Sequence, residues 1–156
     1  MPSRFSMLNE RRLKQHLITW LNSQGYDIMG LPADKGPATL PPRRGAPMKT
    51  PNPPDIYARR REQNFYYYIE AKGDPPSSQA LSNVIGELTR HMVAKTPARY
   101  AIAVPTSFCG VMSKYLKYQS WKKQKIYILL VGAEGKVTQL NPSKQNYERI
   151  CNMANE

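Results

Sequence analysis

Pro54-Asp55-Ile56-Tyr57-Ala58 and Phe65-Tyr66-Tyr67-Tyr68-Ile69-Glu70-Ala71-Lys72 are the two stretches that decide how this chain folds. Both are rich in β-forming residues, and the polar stretch 59–64 between them predicts a hairpin. Side chains alternate along a strand, so Tyr66, Tyr68, Glu70 and Lys72 share one face while Phe65, Tyr67, Ile69 and Ala71 share the other. With the turn around Glu62 to Asn64, the residue numbers of opposed pairs sum to about 125 to 127, which sets Asp55 across from residues 70–72. A sum of about 125 or 127 brings Asp55 to the face of Glu70 and Lys72, and about 126 sends it to the opposite face. In either favourable register, three charged side chains meet at one end of the hairpin.

Outward from the hairpin, the elements alternate in type. Before it, Leu13, Leu17, Trp20 and Leu21 recur at helical spacing over residues 6–23, with Arg11, Arg12, Lys14 and Gln15 on the other side. That helix ends near Gly25, and residues 26–29 follow as a short strand. After the hairpin, Pro75, Pro76, Ser77 and Ser78 make a turn with a serine cap, and a helix over 79–94 buries Leu81, Val84, Ile85, Leu88 and Met92. Gly86 in its middle implies that something packs closely there. Residues 99–104 read as a buried strand, 107–122 as a helix and 126–131 as a second apolar strand, which 136–140 can pair with across 132–135. A short helix from 143 ends the pattern. The expected fold class is an α/β sandwich, a mixed sheet with helices on both faces.

Between the first strand and the hairpin, residues 32–54 hold eight prolines in 23 positions, with Lys35, Arg43, Arg44 and Lys49 among them. Prolines at that density exclude helix and central strand, leaving a long basic loop. The 156 residues correspond to one domain, 1–156, large enough to bury a core without disulfides. Cys109 and Cys151 fall in no zinc or disulfide spacing, no apolar run is long enough to span a bilayer, and no signal-peptide pattern opens the chain, so a cytoplasmic setting is expected. Lys and Arg number 23 against 11 Asp and Glu, a net charge of +12. Such a surface implies a polyanionic partner, because released counterions drive association with nucleic acid of any sequence. His16 and His91, beside charged residues on helices, are expected to be solvated, and Tyr66 and Tyr68 to pack under the first helix.

Two carboxylates and a lysine at one hairpin end suit phosphodiester hydrolysis. Hard oxygen ligands such as Asp55, Glu70 and the Ala71 carbonyl hold Mg²⁺, while an ammonium nearby steadies the phosphate and the attacking water.

Pro54-Asp55 followed by Glu70-Ala71-Lys72, in the order helix, three strands, helix, strand, resembles the PD-(D/E)xK nuclease superfamily over residues 9–105. The resemblance implies a restriction-endonuclease-like fold with an α-β-β-β-α-β core. It implies a Mg²⁺-dependent DNA endonuclease, with Mn²⁺ as a possible substitute, in which Asp55 and Glu70 ligate metal and Lys72 acts on the nucleophilic water. Glu10 takes the place of a first-helix acid that many relatives carry, and Gln79 that of a glutamine at the start of the next helix. The layout is most similar to Holliday-junction resolvases and to restriction-enzyme catalytic cores, and it leaves room for a homodimer. From a different class, a nucleic-acid-binding protein that keeps this fold without catalysis is the alternative. Binding alone needs no carboxylates facing phosphate.

Overall fold

The computed structural model describes residues 7–30, 55–90, 92, 98–115 and 125–154. The basic loop 32–54 with Lys35, Arg43, Arg44 and Lys49, the second half of the helix expected over 107–122, and His91 lie outside the described residues.

Helix α1 spans Glu10–Ser23, starting where the Asn9 side chain accepts the Arg12 backbone N–H at 2.9 Å. It ends where Gly25 takes φ +90°, a conformation that costs glycine little. Strands β1 (Tyr26–Gly30), β2 (Ile56–Arg60) and β3 (Tyr66–Ala71) follow, then helix α2 (Ser78–Thr89), capped by the Ser77 hydroxyl accepting the Ala80 N–H at 3.0 Å. Strand β4 (Ala98–Pro105) leads into a 3-10 turn over Thr106–Phe108, and only then into helix α3 (Cys109–Tyr115). Strands β5 (Tyr127–Val131) and β6 (Val137–Leu140) and helix α4 (Lys144–Ala154) complete the order.

The six strands form one sheet in chain order. β2 runs antiparallel to both β1 and β3, β3, β4 and β5 are mutually parallel, and β6 returns antiparallel to β5, so the sheet is mixed. Helix α1 covers one face, where Leu13, Leu17 and Leu21 pack with Ile56, Ala58, Tyr67, Ile69 and Ala71. The other face carries the second core, built from Leu81, Val84 and Leu88 of α2, Phe108 and Met112, Ile150 of α4, and Ile102, Val104, Ile128 and Leu130 of the sheet. This is the α/β architecture that the alternation of elements predicts. Among the described residues, no helix is long and apolar enough to cross a membrane.

Three expectations change. Tyr66 and Tyr68 do face the same way as Glu70, but α1 lies on the opposite side, over Tyr67. Tyr57, Tyr66 and Tyr68 instead form their own cluster, with ring centroids 5.5 Å apart for Tyr57–Tyr66, 4.8 Å for Tyr57–Tyr68 and 5.2 Å for Tyr68–Tyr100. His16 is partly buried rather than solvated, since its imidazole lies against the β5–β6 turn. A Cβ on Gly135 would come within 2.8 Å of Nδ1, and Nε2 is buried. Among the described residues nothing packs against Gly86: a Cβ there would meet none of their atoms within 4 Å.

Candidate active site

The β2–β3 ladder fixes the geometry. Ile56 lies opposite Ile69 and Tyr57 opposite Tyr68, so the residue numbers of paired positions sum to 125. In this register Asp55, just before β2, projects to the side that carries Glu70. The Ala71 backbone N–H donates to Asp55 Oδ2 at 2.9 Å, which locks the aspartate across the end of β3.

Glu70 is 3 % exposed and is the only buried charged side chain among the described residues. A carboxylate is withdrawn from water to that degree only where other groups compensate it. It lies in a cleft of about 420 Å³ lined by Glu10, Asp55, Glu70, Ala71 and Lys72, with Asn83, Gly86 and Glu87 of α2 and Arg90 just after it among the residues of the far wall. Asp55, Glu70 and Lys72, expected from the hairpin, and Glu10, expected from the resemblance, therefore line one space. Gln79 is not among the lining residues. Its amide donates to Asn83 Oδ1 at 3.0 Å, one turn further along α2, and it is Asn83 that reaches the cleft.

Glu10 arrives through a close seam at the end of β3. Gly73 lies against the start of α1, where a Cβ would sit 2.3 Å from the Glu10 backbone nitrogen and 2.6 Å from the Asn9 carbonyl carbon. Only glycine allows the two backbones to approach so closely. Asp74 then stitches the seam. Its N–H donates to the Leu8 carbonyl at 3.0 Å, its Oδ2 accepts the Leu8 N–H at 2.8 Å, and its Oδ1 accepts the Ser107 hydroxyl.

Lys14 is the residue that sequence reading placed on the solvent side of α1 and that the fold turns inward. Its Nζ lies 3.3 Å from Glu10 Oε2 and 3.4 Å from Asp55 Oδ1, with 24 % of the side chain exposed. Burial works against charge on Lys14, but the Asp55 and Glu10 carboxylates outweigh it and hold the ammonium above the ordinary lysine range. The available signal was the four-residue spacing from Glu10 to Lys14, which puts the two on one helix face.

Among the described residues, no three His, Cys, Asp or Glu side chains are grouped so that they could hold a metal ion. The residues expected as ligands, Asp55, Glu70, Glu10 and the backbone carbonyl of Ala71, nonetheless offer hard oxygen donors and all belong to the lining of the cleft. This suits Mg²⁺, which takes few protein ligands and keeps several waters. Gathered around Lys14, the Asp55 and Glu10 oxygens already attract a cation. No protein-family model matches the chain, and no curated protein matches it significantly.

Proposed function

We propose that the chain is a restriction-endonuclease-like, metal-dependent endonuclease that hydrolyses the phosphodiester backbone of DNA. The observation that carries this reading is the hairpin register, which puts Asp55 beside the end of β3 and so gathers Asp55, Glu70 and Lys72 in one cleft. Asp55, Glu70 and the Ala71 carbonyl would hold Mg²⁺ or Mn²⁺, with Glu10 at the rim. When bound, the metal supplies Lewis-acid activation of water and neutralises charge on the phosphate.

The chain's own groups do the rest. Lys72 directs an ammonium at the attacking water and the phosphate, stabilising charge as it develops. The water oxygen gives up a proton to solvent as it bonds to phosphorus, the bond to the leaving sugar oxygen breaks, and that oxygen takes up a proton from solvent. Asn83 on α2 and Arg90 at its C-terminal end line the cleft and can donate to non-bridging phosphate oxygens. Lys35, Arg43, Arg44 and Lys49 add phosphate contacts that carry affinity but not sequence information.

The test is substitution of the three central residues, with cleavage and binding measured separately on plasmid DNA. Asp55→Asn, Glu70→Gln and Lys72→Ala should each lower cleavage by about a thousandfold, the scale seen when a group stabilising a transition state is removed. DNA affinity should stay within a few-fold, because these groups act on metal and water. Near-normal cleavage by any one of them removes that residue from the site.

A further inference from the structure

On the metal reading just given, Asp55 Oδ1 faces two claimants. Its partner oxygen Oδ2 already accepts the Ala71 N–H, so Oδ1 is the more open oxygen for a cation, and the Lys14 ammonium stands 3.4 Å from it. The same ammonium reaches Glu10 Oε2 at 3.3 Å, so one positive charge ties together two carboxylates that come from separate elements. An exposed ion pair contributes little, but here Lys14 and Asp55 are only 24 % and 21 % exposed and a single ammonium serves two acids.

We propose that Lys14 is the resident counter-ion of the cleft, holding Asp55 and Glu10 together until a divalent cation displaces it, and that it thereby sets the affinity for that cation. A Mg²⁺ or Mn²⁺ ion ligated by Oδ1 sits about 2.1 Å from it. An ammonium left in its present place would then lie close to a doubly charged ion. Repulsion at such a separation is strong even with solvent screening. Lys14 has a flexible four-carbon stem, and its four-residue spacing from Glu10 lets it leave Asp55 while keeping the glutamate as partner. Lys14 is thus a positioning residue. It acts on the metal through the two carboxylates it holds.

The experiment is a calorimetric titration of the full-length, chelator-treated protein with Mn²⁺, repeated by electron paramagnetic resonance of the free ion. Wild type is compared with Lys14→Met, Lys14→Arg and Lys114→Met, the last an exposed residue of α3 outside the cleft. Lys14→Met should bind Mn²⁺ about tenfold more tightly than wild type and should show a lower melting temperature in chelator, with a larger rise on adding metal. Lys14→Arg, which keeps the charge, and Lys114→Met, which removes one elsewhere, should stay within about twofold of wild type. Should Lys14→Met not fold, Lys14→Gln is measured in the same way. Unchanged or weaker Mn²⁺ binding by the neutral variant overturns the role of Lys14 and leaves the metal reading standing if wild type binds. An equal gain in Lys114→Met overturns it too, because the effect would then belong to net charge. Absence of Mn²⁺ binding in every protein overturns both readings.

Discussion

The two walls of the cleft are built on opposite terms. On the α1 side, Gly73 lies so close to the first turn of the helix that a methyl group would sit 2.3 Å from the Glu10 nitrogen, and Asp74 fastens the same seam with hydrogen bonds to both backbone groups of Leu8. On the α2 side, a Cβ on Gly86 would meet no atom of the described residues within 4 Å, and the neighbouring Asn83 and Arg90 are exposed. The closed wall fixes where Glu10 and Lys14 stand relative to Asp55. The open wall leaves room for a ligand to enter. Glycine therefore has two meanings at one site: close approach of two backbones at one wall, clearance at the other.

That contrast is broken most readily at the seam. Gly73→Ala forces backbone to move, and overpacking against backbone should destabilise the fold by about 3 kcal/mol. The check is the urea midpoint of the metal-free protein, with an unchanged slope. A midpoint equal to wild type means the seam is loose and Glu10 is not held by it.

The open wall should respond in the opposite direction and by less. Gly86→Ala removes a helix-interior glycine where the new methyl meets nothing, so stability should rise by about 1 kcal/mol. Cleavage should remain within a few-fold of wild type, since a methyl group takes little of a cleft of about 420 Å³. A loss of stability means that this helix face is covered and the wall is closed.

Much of this arrangement is legible in the sequence, for a definite physical reason. Alternation in β3 and the leucine stripe of α1 are properties of one element each, and they place Glu70 opposite Tyr67 and point Leu13, Leu17 and Leu21 into the core. The hairpin is legible to within its register, because its turn limits the pairing to a few choices, and the observed sum of 125 is one of the two that serve the site. What alternation cannot supply is how one element sits against another. Alternation gives Tyr66 and Tyr68 the correct face, but they pack with Tyr57 and Tyr100 rather than under α1. Lys14 was read as solvated because its helix position is polar, although the seam at Gly73 turns that flank of α1 toward Asp55. The resemblance points to Gln79 at the start of α2, yet the helix meets the cleft one turn later, at Asn83. The 3-10 turn before α3 likewise depends on how Phe108 enters the core, where it is fully buried.

In the proposed function, the carboxylates of this cleft serve a divalent cation in cutting DNA. The most direct measurement is incubation of the full-length protein with supercoiled, linear, single-stranded and branched DNA, in Mg²⁺, Mn²⁺, Ca²⁺ or excess chelator. The account predicts cleavage of at least one of these substrates with Mg²⁺ or Mn²⁺ and none with chelator. With Ca²⁺, whose larger radius and looser geometry disfavour the chemistry, it predicts binding without cleavage. Full cleavage in excess chelator, or no cleavage of any substrate with Mg²⁺ or Mn²⁺, would contradict it.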